Sequence, residues 1–136
     1  MSYSEDQLLG AVGMSTMVVR AADTSVAAGI NELPVLAASA ATSLVESACS
    51  AALAEFCAPG ETSFTQSLNL EMLTSVPIGE EVRAHVRLIA VDDHLVTFEA
   101  ALTHLNRTIA TAHVQRRLID RLSFMARVAA ERIVSA

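Results

Sequence analysis

Between Val35 and Ala54 the chain reads VLAASAATSLVESACSAALA, a run of small and apolar residues interrupted by one charge, Glu46. Such a run favours a helix, expected from about Val35 to Ala58, with Pro34 suited to its start and Pro59-Gly60 to its exit. A helix with almost no charge on any side has to be covered by other parts of the fold. Its many Ala and Ser side chains allow a covering sheet to approach the backbone closely. A lone carboxylate in that setting needs a reason, because unpaired charges are rarely left among apolar neighbours. Two readings of Glu46 stay open: a site carboxylate tuned by its surroundings for base or nucleophile work, or a partly exposed helix residue.

The cover is legible downstream. From Glu81 to Val91 the sequence alternates, with Val82, Ala84, Val86, Leu88 and Ala90 on one face and Arg83, His85 and Arg87 on the other. That is the period of a half-buried strand. Leu95 to Thr103 repeats it through Val96, Phe98, Ala100 and Leu102, and Asp92-Asp93-His94 forms the turn between the two. Further strands are expected over 63–75 and 107–119, the latter joined to its neighbour by His104-Leu105-Asn106-Arg107, and an N-terminal strand near 15–21. The segment from Asp120 to Val134 reads as an amphipathic helix, with Leu122, Met125, Val128, Ala129 and Ile133 roughly on one side. It is expected to pack on the sheet or on a partner subunit. The fold class is therefore α+β: an antiparallel curved sheet wrapped around one long central helix, plus a C-terminal helix, in a single domain over residues 1–136.

Several function classes fall away on composition. The net charge is −6, lysine is absent, and the nine arginines are dispersed, so no phosphate-tracking surface for nucleic acid is expected. Aromatics make up only 4%, which leaves no stacking platform for bases. The 52% hydrophobic content does not make a membrane span, because the stretch nearest to one, Leu33 to Ala54, is Ala- and Ser-rich and broken by Glu46. The first residues, MSYSEDQLLG, carry acids and no basic region before an apolar core, so a cytoplasmic location is expected. No His, Cys or acid pair has metal-ligand spacing, and no Gly-rich phosphate loop or Gly-x-Ser-x-Gly elbow occurs, so neither metal nor cofactor is expected. Cys49 and Cys57 should be reduced. Cys49, three residues after Glu46, is either a nucleophile or, as free Cys more often is, a small buried apolar side chain. Of the four histidines, His85, His94 and His104 are expected to be exposed.

Asp23-Thr24, Gly29, Leu33-Pro34-Val35-Leu36 and Leu44-Val45-Glu46-Ser47-Ala48-Cys49 together resemble the first part of the hotdog-fold thioesterases of the fluoroacetyl-coenzyme A type. Pro59-Gly60-Glu61 resembles the turn after that family's central helix, Thr74 to Gly79 its APTPVG-like turn, and Ile109 to Phe124 its last strand and exit, so the resemblance runs over roughly 18–124. It implies the hotdog fold, a homodimer with pockets at the subunit interface, and hydrolysis of a small acyl thioester of coenzyme A or a carrier. The family's catalytic set is a Thr shortly after the LPVL segment, a Glu in the helix and a His on the following strand. Only the Glu is present, as Glu46. Ala38 stands at the Thr position with Ser39 beside it, and Met72 at the His position with Glu71 beside it. A methionine cannot move protons. Glu46 and Ser39 are thus the catalytic candidates, with Val35, Leu36, Ala38, Asn69 and Met72 expected around the substrate. His113 is a weaker candidate, since the family's last-strand His falls one place on, at Val114. The Arg116, Arg117 and Arg121 cluster suits coenzyme A phosphates or, equally, a solvated strand end.

The alternative function is a non-hydrolytic hotdog protein that binds an acyl-coenzyme A or another small apolar metabolite. What faces Glu46 discriminates between the two: a polar partner such as Ser39, Gln66 or Asn69 favours catalysis, whereas Met72 and leucines alone favour binding.

Overall fold

The computed structural model describes residues 4–135, with side chains to 133. In chain order the elements are α1 (Glu5–Leu8), β1 (Val12–Val18), α2 (Ala38–Ala54), β2 (Glu61–Met72), β3 (Glu81–Asp92), β4 (Leu95–His104), β5 (Arg107–Asp120) and α3 (Arg121–Ser135). A single 3-10 turn, Ala21–Asp23, follows β1. The strands form one antiparallel sheet in the order β1-β3-β4-β5-β2, so β1 and β2 are its edges.

Alternation decides which face meets α2. Val82, Ala84, Val86 and Leu88 of β3, Val96, Phe98, Ala100 and Leu102 of β4, and Ala110, Ala112, Val114 and Leu118 of β5 are buried. They close over Ala41, Leu44, Val45, Ala48, Cys49, Ala52 and Leu53 of the helix. The expected curved sheet around a central helix is present. Contact between α2 and β1 is closest at Gly13, where an added Cβ would overlap the Ala48 carbonyl oxygen and come 2.8 Å from the Ala52 nitrogen.

Three expectations need correction. The helix is shorter than 35–58. Val35 and Leu36 are extended and bridge Pro77 and Thr24, with Leu36 N–H donating to Val76 O at 2.9 Å. Pro34 disfavours helical backbone at Leu33, and the residues after it find sheet-like partners first. At the other end the N–H groups of Phe56 and Cys57 fold back onto Leu53 O, so Cys57 is not on the helix. The N-terminal strand runs Val12–Val18 rather than 15–21, because its apolar Val12, Met14 and Val18 face outward and its inward positions include Gly13 and Ser15. Ala90 is exposed rather than buried, since a bulge between Leu88 and Ala90 reverses the alternation. The C-terminal helix α3 meets the sheet where Phe124 packs against Phe64 of β2, at 5.2 Å between ring centroids, while its Leu122, Met125, Val128 and Ile133 are exposed. No helix among the described residues is long and apolar enough to cross a membrane.

Candidate active site

Glu46 lies on the third turn of α2, half-buried at the margin of the helix's apolar stripe. Its surroundings are more polar than the helix sequence suggests. Thr65 Oγ1, on β2, donates to Glu46 Oε2 at 2.8 Å, and Arg116 Nη1, on β5, donates to the same Thr65 oxygen at 2.9 Å. The rest of the guanidinium is held by Ser63 and Ser50. Nε and Nη2 donate to Ser63 Oγ at 3.2 and 2.8 Å, and Nη2 also reaches Ser63 O at 3.0 Å and Ser50 Oγ at 3.2 Å. Arg116 is only 6% exposed, so these acceptors replace the water it loses. The charge of Glu46 is thus linked through one hydroxyl to a buried cation.

A bulge in β2 between Thr65 and Ser67 makes this possible. Before it, Ser63 and Thr65 face the helix; after it, Leu68, Leu70 and Met72 do. One strand therefore contributes a polar half beside Glu46 and an apolar half beyond it.

The remaining sequence candidates are dispersed. Met72 is half-buried against the core, and Glu71 beside it faces out. Asn69 is exposed on the outer face, opposite His113. Gln66 also faces out, where its Oε1 accepts from Arg117 Nε at 2.7 Å. Arg116 and Arg117 do not share a surface, because neighbouring strand residues point to opposite faces. Ala38 and Ser39 are exposed in the first turn of α2, Val35 is half-buried and Leu36 buried. Ser39 lies seven positions before Glu46, about 10 Å along the axis, so the two do not meet within the chain. His85, His94 and His113 are exposed, and His104 Nδ1 lies 3.1 Å from Glu81 O, so no imidazole joins the Glu46 cluster.

Cys49 is fully buried, and its thiol is pushed up to about 12, chiefly by burial, with nearby Arg116 opposing the rise and Glu46 adding to it. It is a protonated core side chain at neutral pH, which decides between its two readings. Among the described residues no group of three or more His, Cys, Asp or Glu could hold a metal ion.

Thr65, which holds Glu46, was not among the sequence candidates. The signal lay at Arg116: it shares the inward register of Ala112, Val114 and Leu118, and an arginine there demands polar acceptors on the facing strand. Two depressions are relevant to a ligand. One of about 690 Å³ crosses the outer face past Met14, His85 and His113, on the side of the sheet away from Glu46. The other, about 300 Å³, is lined by Ser50, Leu53, Cys57, Glu61 and Ser63, beside the Arg116 cluster. The second is the better candidate because it adjoins the charged groups.

Comparison with known proteins bears on the fold and the family. No curated protein matches the sequence. The structure superimposes on that of the fluoroacetyl-CoA thioesterase FlK with a TM-score of 0.80 at 23% identity, covering 90% of this chain and 95% of that one. A hot-dog-like protein from Thermanaerovibrio acidaminovorans gives 0.84 at 16%, covering 96% and 97% of the two chains. A thioesterase superfamily member from Thermus thermophilus gives 0.82 at 19%, covering 94% and 96%. These likenesses establish the hotdog fold. The profile of the family described as fluoroacetyl-CoA-specific thioesterase matches residues 15–122, and the chain belongs to that thioesterase family.

Proposed function

We propose that the protein hydrolyses a small acyl thioester, of coenzyme A or of an acyl carrier, with Glu46 as the proton-handling carboxylate. The observation that carries this reading is the hydrogen bond from Thr65 to Glu46 Oε2, which fixes the carboxylate and leaves Oε1 without a donor among the described residues. A polar partner, rather than Met72 and leucines alone, is what catalysis needs.

In this mechanism Oε1 takes a proton from water as the water oxygen bonds to the thioester carbon. The resulting oxyanion is held by backbone N–H groups, the C–S bond breaks, and the departing thiolate takes the proton back from Glu46. By the sequence resemblance Ala38 and Met72 stand where the family has its Thr and His, so no second proton carrier is assigned there, and the half-buried Val35 ahead of α2 is assigned to the acyl side.

The start of α2 suits the oxyanion. It has no side-chain cap, and the first N–H to bond within the helix is that of Ala41, to Ala37 O at 3.0 Å. The N–H groups of Ala38, Ser39 and Ala40 are therefore open to a ligand. Glu46 lies eight positions beyond Ala38, about 12 Å along the axis and about 80° around it, too far for both to grip one carbonyl. The site therefore takes Glu46 from one subunit and the helix start from another, in a homodimer joined through the open β2 edges.

The test is Glu46→Gln, which keeps the shape and removes the base. With acetyl-coenzyme A and a series of longer acyl esters assayed for free thiol, turnover is expected to fall at least about 100-fold with the fold retained. Full activity in this variant would sink the mechanism.

A further inference from the structure

We infer that Thr65 is a positioning residue that selects which oxygen of Glu46 does the chemistry. This inference rests on the hydrolytic reading above and adds to it. An arginine has donors only, so the contact between Arg116 Nη1 and Thr65 Oγ1 has one direction: the guanidinium donates and the hydroxyl accepts. The single Thr65 hydrogen is then left for Glu46 Oε2, 2.8 Å away. The chain Arg116 to Thr65 to Glu46 is therefore oriented, and its last acceptor must be an unprotonated carboxylate oxygen. A proton that Glu46 gains goes to Oε1.

Interposing the hydroxyl has a second effect. A guanidinium in direct contact can fork across both carboxylate oxygens and lower the basicity of each. With Thr65 between them the cation reaches one oxygen only, through a neutral group. The terminal carboxylate torsion, which is otherwise broad and two-fold, is fixed by the same bond. Arg116 is in turn anchored by Ser63 and Ser50, so the relay is tied to both the sheet and the helix.

The relay distinguishes Thr65 from a packing residue. Thr65→Val keeps the side-chain shape and removes the hydroxyl; Thr65→Ser keeps the hydroxyl and removes the methyl. With acetyl-coenzyme A, Thr65→Val is expected to lower kcat by roughly 10- to 100-fold, the range of a lost hydrogen bond to a charged group, with little change in KM and an altered acid limb of the pH–rate profile. Thr65→Ser is expected to restore kcat to within a few-fold and the original profile. A thermal melt of each variant separates loss of fold from loss of chemistry.

A readout without turnover accompanies this. The side-chain ¹⁵N–¹H signals of Arg116 are expected to move farther on Glu46→Gln in the Thr65 protein than in a Thr65→Val background, since among the described residues the hydroxyl is the hydrogen-bonded link between Glu46 and the guanidinium. A folded Thr65→Val protein with wild-type kcat and pH profile, a Thr65→Ser protein as impaired as Thr65→Val, or an equal Arg116 response in both backgrounds would overturn the relay while leaving hydrolysis by Glu46 standing. Absence of thioester hydrolysis in the wild type with the Arg116 coupling intact would instead overturn the enzymatic reading, and the catalytic role of Thr65 with it.

Discussion

The charges inside this fold form one connected set rather than isolated exceptions. Glu46 was legible as unusual because no other charge lies between Val35 and Ala54. Its partner was not, because Arg116 was grouped with Arg117 by adjacency, whereas strand geometry sends the first indoors and the second out. Thr65 was hidden for a related reason: the β2 bulge cannot be seen in the pattern, and without it Ser63 and Thr65 belong to the same face as Asn69. Cys49, beside this cluster, shows what burial does to a thiol. Its folded thiol titrates near 12 against an ordinary value of 9.0, so its neutral form contributes stability fully below about pH 9, and that contribution is lost as pH rises through 12. In Cys49→Ala the melting temperature is accordingly expected to fall less steeply between pH 9 and 12 than in the wild type. Parallel curves for the two proteins across that window would show that the thiol is not held in this way.

Alternation marks the strands that have one apolar face and misses the others. β3, β4 and β5 begin and end near their expected limits because alternation reports burial directly. β1 was displaced since its apolar residues face outward and its inward positions are small, a pattern set by the nearness of α2 rather than by hydrophobicity. The helix ends were displaced by tertiary bonds from Val35, Leu36, Phe56 and Cys57 that local propensity does not report. Gly13 is the critical contact between these elements. Gly13→Ala is expected to push α2 off the sheet and destabilise the protein by about 1–3 kcal/mol, the usual cost of overpacking, read as a lower midpoint in urea. An unchanged midpoint would mean that β1, an edge strand, moves aside at no cost.

For the whole molecule the open features lie together on the chain: β2 is an unpaired edge of the sheet, Phe64 on it meets Phe124, and the apolar residues of α3 beyond that contact are exposed. A long unpaired edge strand is a liability unless something covers it. The proposed homodimer would pair β2 with β2 of a second copy, cover this edge and offer Glu46 the helix start of the other subunit. The assembly and the chemistry are thus one hypothesis, and mixing two inactive variants tests both. Glu46→Gln removes the base. Ala38→Pro removes the first N–H of α2, and the extended backbone of Ala37, with ψ 147°, is already compatible with a following proline at the first helical position. Each variant alone is expected to be a sedimenting dimer with little turnover. If each site draws its carboxylate and its N–H groups from different subunits, an unfolded and refolded equimolar mixture regains about a quarter of wild-type activity: half of the dimers are mixed, and each mixed dimer has one undamaged site. If both groups come from the same subunit, every site in a mixed dimer carries a lesion and nothing is regained. A stable monomer at micromolar concentration, or full activity in Ala38→Pro, would remove the shared site from the mechanism.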